Sequence, residues 1–285
     1  MRLSRPLVTG SDGLLGRAVA ERLGAADPET IAASRAFLDL EDFWRLRAEM
    51  ERLGPGVVVN CAAYSDVDGC ERDPDRAYRE NRDIAVHLAR ACRAMGIPLV
   101  HISTDYVFDG RQAEPYREED APNPLSLYGE SKLEGEREAL REHPDTLIIR
   151  TSFLFGPGRP GFLDRVLEAA SSGGTVRAVI DWVNAPTHTR DLAEAIEALV
   201  DRGARGVVHF ANQPAVSKLE FAREVLRLAQ ARQDAAVPVR RADLGLPAVR
   251  PERTALDCTR YASITGAPPR PWAEAIVRHL AEVRA

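Results

Sequence analysis

A glycine-rich turn close to the amino terminus constrains the fold of this chain more than any other feature. A short apolar run, Leu7-Val8, is followed by Gly10, Gly13 and Gly16 in a Gly-x-x-Gly-x-x-Gly pattern, and then by an apolar helical pattern. This order predicts a strand, a tight turn and a helix. Glycines here let the backbone turn sharply, bring its N–H groups against a pyrophosphate, and seat the helix closely on a sheet. The pattern therefore favours a dinucleotide site over an ordinary strand–helix turn.

Short β-rich runs alternate with longer helical patterns along the first half of the chain. Strands are predicted at 30–34, 56–60, 98–103 and 146–151, and helices at about 75–95 and around residue 128. A capping box at 217–220 predicts the start of a further helix. The alternation predicts an α/β fold, a doubly wound parallel sheet of the Rossmann type, with a smaller carboxyl-terminal substrate lobe. We predict a dinucleotide-binding domain at 1–150 and a mainly substrate-binding lobe at 151–285, with segments around 176–212 returning to the first domain.

The end of the second predicted strand carries Ser34 and Arg35. An NAD enzyme usually places an acidic residue there, to bind the adenosine ribose hydroxyls. A hydroxyl followed by a guanidinium suits a 2′-phosphate better, because the planar cation pairs with phosphate in a bidentate manner. This favours NADPH, with NADH possible. A solvated arginine at a strand end is the alternative interpretation.

Tyr128 and Lys132 stand four residues apart on a predicted helix. Residues i and i+4 share one helix face, so a phenol and an ammonium can act on the same bound molecule. We expect the ammonium to favour the phenolate and to lower the pKa of Tyr128 below its ordinary value of about 10. An isolated Tyr-x-x-x-Lys pattern is common by chance, and gains weight here from the glycine turn.

The composition is that of a globular chain of one or two domains, with 285 residues, 45% hydrophobic residues and a net charge of -5. The negative balance gives no electrostatic footprint for nucleic acid. Four scattered cysteines without a C-x-x-C pair indicate neither disulfides nor zinc, and a reducing cytoplasm is expected. Because no apolar run approaches the roughly 20 residues of a bilayer span, no membrane segment is predicted. We predict no metal site, and a monomer or homodimer.

Several motifs carry a resemblance to a known family. The glycine turn, the run 60–64 and the Tyr128/Lys132 pair resemble the extended short-chain dehydrogenase/reductase superfamily. Within it, the string from His101 to Gly110, Pro122-Asn123-Pro124 and Arg150-Thr151-Ser152 are similar to the dTDP-4-dehydrorhamnose reductase family. The likeness covers nearly the whole chain, and the string 103–110 is its most specific part.

The resemblance implies reduction of the 4-keto group of dTDP-4-dehydro-L-rhamnose to dTDP-L-rhamnose, with hydride from NADPH or NADH. In that reaction Tyr128 would protonate the carbonyl oxygen and Lys132 would hydrogen-bond the nicotinamide ribose. Thr104 would hydrogen-bond the carbonyl oxygen or the phenol. Asp105 would hold a sugar hydroxyl, Phe153 would line the sugar site, and Arg250, which precedes Pro251 in a family-like string, is the candidate to bind the diphosphate of the nucleotide sugar. The cofactor residues that the family likeness implies are Gly10, Asp12, Gly13, Leu14, Asp39, Leu40, Ala62, Ala63 and Tyr64.

Two positions depart from the family pattern. Phe153 stands where members commonly carry tryptophan, which keeps an apolar wall for the sugar methyl group but loses an indole donor. Leu15 occupies the neighbourhood of a metal-binding carboxylate found in some members, so no metal dependence is predicted.

Three other functions stay open. A 4,6-dehydratase is disfavoured because Tyr106, and not an acidic residue, follows Asp105. A reductase of another nucleotide 4-ketosugar would use the same residues. A non-catalytic NADP-binding subunit, similar to the regulatory subunit of methionine adenosyltransferase, would need the nucleotide site but not Thr104, Tyr128 and Lys132 together.

Overall fold

A computed structural model describes residues 4–284 of the chain, and the side chains of residues 4–281. Its strands are β1 (Pro6–Thr9), β2 (Ile31–Ala33), β3 (Val57–Asn60), β4 (Leu99–Thr104), β5 (Leu147–Thr151), β6 (Leu154–Phe155), β7 (Val176–Val179), β8 (Val183–Asn184), β9 (Thr187–His188), β10 (Gly206–His209), β11 (Val216–Ser217) and β12 (Ala236–Val239). Six of them form a central sheet in the order β10-β5-β4-β3-β1-β2, in which every pair is parallel. The strands predicted in the first half, and the doubly wound α/β fold class, are confirmed.

Helices cover both faces of this sheet. The α-helices among residues 4–284 are α1 (Leu14–Ala26), α2 (Phe43–Leu53), α3 (Val67–Arg72), α4 (Pro74–Tyr78), α5 (Ile84–Met95), α6 (Leu127–Glu142), α7 (Phe162–Ser172), α8 (Thr189–Asp201), α9 (Lys218–Leu228), α10 (Thr259–Thr265) and α11 (Trp272–Arg284). Helices α1 and α8 pack on one face around Val19 and Ile196, and α2 and α5 on the other around Leu46 and Leu88. Burial on both faces explains the nearly continuous apolar runs of β1, β3 and β5.

The second half of the chain divides between the sheet and a separate core. Strand β10 pairs with β5 at the sheet edge, and α8 packs on α1. Strand β7 instead pairs with β12, beside helices α7, α9 and α11, which share a core around Phe221. The domain boundaries stay a prediction, and no helix among residues 4–284 has the length and apolar character of a membrane span.

The helix predicted at 75–95 is interrupted in the structure. A π-helical segment, Arg79–Asp83, separates α4 from α5. It turns Asn81 inward, where the amide accepts from the Tyr64 N–H at 2.9 Å and donates to the Tyr64 carbonyl at 3.1 Å and to Ser131 Oγ at 3.0 Å. Because these buried partners satisfy the Asn81 amide, tertiary contacts override the regular helical spacing, as π-bulges near functional sites often do.

Candidate active site at the carboxyl edge of the sheet

A cavity of about 1100 Å³ lies beyond the carboxyl ends of β4 and β5 and extends to the glycine turn. A smaller cavity of about 210 Å³ shares Gly13, Cys61 and Ala63 with it, so the two lie side by side. The predicted site residues that line the larger cavity are Gly13, Leu14, Gly16, Thr104, Asp105, Tyr128, Lys132 and Phe153. Those that line the smaller one are Gly10, Asp12, Gly13, Ser34, Arg35, Asp39, Leu40, Ala62 and Ala63. The sheet topology thus brings together most of the predicted set.

The glycine turn needs glycine for two reasons. Gly10 has φ +65°, and a Cβ there would lie 2.8 Å from the Ala62 nitrogen. A Cβ on Gly16 would collide with the carbonyl oxygen of Gly10. Helix α1 has no side-chain cap among the described residues, and its first residues line the cavity. Its free N–H groups fit a pyrophosphate.

The smaller cavity carries the residues predicted to bind the adenosine half of the cofactor. Arg35 lies at its wall with its side chain 69% exposed, and its Nη2 pairs with Glu80 Oε2 at 2.6 Å. Glu80 also accepts from Arg76 Nε at 2.7 Å. The exposed Arg35 guanidinium keeps further N–H donors for an anion. Tyr64, predicted for the same site, lines neither cavity, because Asn81 holds its backbone and Arg76 covers its ring.

Tyr128 reaches the cavity through the first turn of α6. Ser126 caps this helix by accepting from the Gly129 N–H at 3.2 Å. Gly129 lets α6 pack against the carbonyl oxygen of Tyr106, where a Cβ would collide. This close approach brings the phenol to Thr104, whose side chain hydrogen-bonds it. The fold therefore pairs the two predicted catalytic hydroxyls.

The prediction that Lys132 lowers the pKa of Tyr128 is wrong. Burial raises the pKa of the Tyr128 phenol well above its ordinary value, and the hydrogen bond from Thr104 opposes this only in part. Lys132 is not among the groups that shift the pKa of Tyr128, and its Nζ donates to the Ile102 carbonyl at 2.6 Å. Tyr128 is therefore a protonated phenol at neutral pH.

A buried polar chain runs beneath Lys132. Asn60 Oδ1 accepts from Thr9 Oγ1 at 2.7 Å and from the Ala62 N–H at 3.1 Å, so its Nδ2 faces His101 Nδ1 at 2.9 Å. An amide nitrogen only donates, and His101 Nδ1 must accept. Because burial lowers the pKa of His101 well below 6.5, the ring is neutral and carries its proton on Nε2.

His101 Nε2 lies 3.3 Å from Lys132 Nζ. If Lys132 is an ammonium, the His101 Nε2–H and the Lys132 N–H groups are all donors, and no hydrogen bond can form between them. If Lys132 is a neutral amine, its lone pair accepts from His101 Nε2–H while an N–H still donates to the Ile102 carbonyl. Burial lowers the pKa of Lys132 from 10.5 to about 8, with Glu136 and Cys61 acting in the opposite direction. The network and the burial both make Lys132 easier to deprotonate, and with a pKa of about 8 the ammonium still predominates at pH 7.

Asp105 lies on the floor of the larger cavity. Its carboxylate accepts from Ser152 Oγ at 2.7 Å, from Thr104 Oγ1 at 3.2 Å and from the Thr254 hydroxyl. Burial raises the pKa of Asp105, and these three hydroxyls partly offset that rise. The carboxylate is held by side chains from three separate parts of the chain.

Arg250, predicted to bind the substrate diphosphate, is not among the residues that line the larger cavity. It is buried and makes a bidentate ion pair with Asp68 of α3, at 2.6 and 2.7 Å. The same carboxylate accepts from the Ala248 N–H at 3.0 Å. Because Asp68 lies 182 residues away in sequence, local spacing gave no sign of this pairing. The arginines that do line the cavity are Arg159, Arg165 and Arg177.

Several cavity residues were not singled out from the sequence as site residues. Among them are Trp182, Asn184 and Lys218, which line the larger cavity together with Phe153. One signal for Lys218 was present in the composition, because Lys132 and Lys218 are the only lysines among 38 basic residues. Phe153, on the same wall, has φ 35°, a left-handed backbone that is rare outside glycine.

The parallel sheet, the glycine turn and the Tyr128/Lys132 helix define a Rossmann-type protein of the extended short-chain dehydrogenase/reductase class. Residues 4–285 match the family model of the RmlD substrate binding domain, and the chain belongs to that family. A dTDP-4-dehydrorhamnose reductase of Streptomyces griseus is 37% identical over 95% of this chain and 91% of its own length. A dTDP-4-keto-6-deoxy-D-glucose reductase of Streptomyces niveus is 36% identical over 96% of each chain. The crystal structure of a dTDP-4-dehydrorhamnose reductase of Bacillus anthracis in complex with NADP has a TM-score of 0.92 at 30% identity, covering 99% of this chain and 100% of the other.

Proposed function

We propose that the protein reduces the 4-keto group of dTDP-4-dehydro-L-rhamnose, giving dTDP-L-rhamnose, with NADPH or NADH as hydride donor. The observation that carries the proposal is the hydrogen bond between Thr104 and the protonated Tyr128, over a cavity continuous with the glycine turn. The names of the Streptomyces griseus and Bacillus anthracis relatives support it.

The cofactor fits the part of the cavity lined by the glycine turn. The uncapped amino end of α1 and the close backbone approach at Gly10 and Gly16 suit a pyrophosphate. Arg35 supports NADPH, since its exposed guanidinium stands at the wall of the smaller cavity. Asp39 and Leu40, on that wall, suit the adenine amino group and ring. When bound, the reduced nicotinamide supplies a hydride to the sugar carbonyl carbon.

Residues of this chain then donate and position the proton that the reduction needs. Tyr128 gives its phenolic proton to the carbonyl oxygen as negative charge develops there. Thr104 lies within hydrogen-bonding distance of the phenol, and its single hydroxyl proton, which Asp105 accepts in this structure, turns to the carbonyl oxygen when the substrate binds. Lys132 hydrogen-bonds the nicotinamide ribose. The raised pKa of Tyr128 suits this direction of reaction, because the enzyme starts from the protonated phenol.

The sugar occupies the end of the cavity lined by Asp105 and Phe153. A second 4-ketosugar is a specific alternative substrate, because the wall around Phe153 also carries Lys218 and because a relative is named for a 6-deoxyglucose derivative. The four cysteines are all free, which supports a reducing compartment and therefore the cytoplasm.

The test is to incubate the purified protein with NADPH and dTDP-4-dehydro-L-rhamnose, and to follow the loss of cofactor absorbance. NMR of the product then fixes its identity and stereochemistry. We expect stoichiometric oxidation of NADPH and formation of dTDP-L-rhamnose. Cofactor binding without turnover of any nucleotide 4-ketosugar would refute the proposal and favour a non-catalytic subunit.

A further inference from the structure

The chain uses lysine at only two of its 38 basic positions, Lys132 and Lys218. Both are buried, with 2% and 7% of their surface exposed, and both line the larger cavity. The proposed function uses Lys132 and leaves Lys218 unassigned. A compact ammonium differs from a guanidinium in that its small head and three rotatable N–H donors suit a confined site.

The local fold delivers Lys218 to the cavity wall. Strand β11 pairs antiparallel with β8, which sets Val216 opposite Asn184. Ser217 then caps α9 by accepting from the Glu220 N–H at 3.1 Å, and Glu220 accepts in return from the Ser217 N–H at 2.8 Å. Lys218 is therefore the first residue of a firmly capped helix. The capping box predicted from sequence positions a cavity residue as well as starting a helix.

The buried ammonium of Lys218 is poorly satisfied by the protein. Among the side chains that the structure describes, Asn184 Oδ1, at 3.2 Å, is its one hydrogen-bond acceptor. The remaining contacts are the ring of Phe153, directly beneath Nζ, and the ring of Trp182 at 5.3 Å. Burial lowers the pKa of Lys218 well below its ordinary value; Arg165 adds to this shift and Asp105 opposes it. Because the buried amino group has one acceptor among the described side chains in either protonation state, its other N–H groups need acceptors from whatever fills the cavity, and such acceptors would favour the ammonium.

A second unsatisfied donor lies on the same wall. Trp182 Nε1 is buried and has no hydrogen-bond partner within residues 4–281. Trp182 lines the cavity together with Phe153 and Asn184. Aromatic faces flanked by N–H donors suit a sugar ring, whose C–H groups pack on the rings while its oxygens accept from the donors.

We propose that Lys218 and Trp182, with Asn184 orienting the ammonium, form a subsite that binds an oxygen-bearing substituent of the ketosugar ring. This inference rests on the proposed function and names the chemistry of its substrate, which must present an oxygen acceptor to this wall. The sugar is a better occupant than the diphosphate, because Asp105, which attracts the ammonium, is hydrogen-bonded to Thr104 at the reacting end. The guanidinium groups of Arg159, Arg165 and Arg177, which also line the cavity, suit the diphosphate.

The first test compares dTDP with dTDP-L-rhamnose as ligands of the NADP⁺ complex, by calorimetry. We expect Lys218→Met to weaken the binding of dTDP-L-rhamnose at least about tenfold, because a charged hydrogen bond is lost, and to change the affinity for dTDP less than about twofold. Trp182→Phe keeps the aromatic face and removes only Nε1–H, and should weaken the sugar nucleotide about threefold to tenfold. Equal weakening of both ligands would assign Lys218 to the diphosphate and overturn the proposal, as would no change in either.

A second test measures ligand binding on the wild-type protein and uses a variant only to assign the lysine signals. With lysine labelled at the ε-carbon, the wild-type holoprotein has two lysine signals, which Lys218→Arg assigns. We expect dTDP-L-rhamnose to shift the Lys218 signal and dTDP to leave it in place. This readout is independent of turnover, so it distinguishes the subsite from the reductase activity. If the assay shows no reduction but UDP-glucuronate or dTDP-glucose moves the Lys218 signal, the subsite stands and the reductase fails. A Lys218 signal that no nucleotide sugar moves refutes the subsite, whatever the assay shows.

Discussion

The two ends of the large cavity are built in different ways. At the cofactor end, the glycine turn, Thr104 and Tyr128 stand where strands end or helices begin, and Lys132 is tied into a chain of buried hydrogen bonds. At the sugar end, Phe153, Trp182 and Lys218 come from separate segments, and two of their N–H donors depend on what enters the cavity. A site built mainly from the backbone of regular elements suits the cofactor that members of a fold have in common. Side chains from separate segments instead determine which substrate an individual member binds.

The largest expected effect tests the cofactor end. Tyr128→Phe removes the proton donor and should lower kcat by about 10²–10⁴-fold while leaving NADPH binding unchanged, because general acid catalysis contributes about that much. Steady-state kinetics and fluorescence titration of NADPH measure the two quantities. Tyr78→Phe is the matched control, since the Tyr78 hydroxyl bonds Glu130 outside the cavity. Turnover close to wild type in Tyr128→Phe would remove the acid assignment.

The next prediction compares the stability and NADPH binding of two variants at glycines of helix α1. A Cβ on Gly16 collides with the Gly10 carbonyl, whereas a Cβ on Gly24 meets no atom within 4 Å. We expect Gly16→Ala to lower the free energy of unfolding by about 1–3 kcal/mol and to weaken NADPH binding at least tenfold. Gly24→Ala should instead stabilise the protein by about 0.5–1 kcal/mol and leave binding unchanged. Denaturant unfolding and cofactor titration compare the pair, and equal behaviour of the two variants contradicts the close approach of turn and helix.

The buried amine of Lys132 predicts a pH-dependent stability. Its pKa falls from 10.5 to about 8 on folding, so between those values the unfolded chain binds a proton that the folded chain does not. Stability contributed by Lys132 is therefore present at high pH and is lost as pH falls through about 8. Relative to Lys132→Met, the cofactor-free wild type should gain about 2 kcal/mol in free energy of unfolding between pH 7.5 and 10. A flat difference across that range would show that folding does not lower the pKa of Lys132.

The smallest effect concerns the cofactor phosphate. Arg35→Leu should raise the KM for NADPH about tenfold and change the KM for NADH little, because the exposed guanidinium of Arg35 meets only the extra phosphate. Arg47→Leu, on the exposed face of α2, is the control, since Arg47 pairs with Glu51 away from the cavity. Equal changes for both cofactors would leave Arg35 without a role in choosing between them.

Local sequence patterns were enough to predict the parallel sheet, the glycine turn, the capping box of α9 and the placement of Tyr128 and Lys132 on one helix. These features depend on local spacing and on which residue types the backbone accepts. Four features became visible only in the folded chain: the partner of Arg250, the π-helical segment at 79–83, the pKa shifts of Tyr128 and Lys132, and the presence of Lys218 in the cavity. Burial and hydrogen-bond partners come from segments distant in sequence, and they set the free energy of a charge that no local pattern encodes.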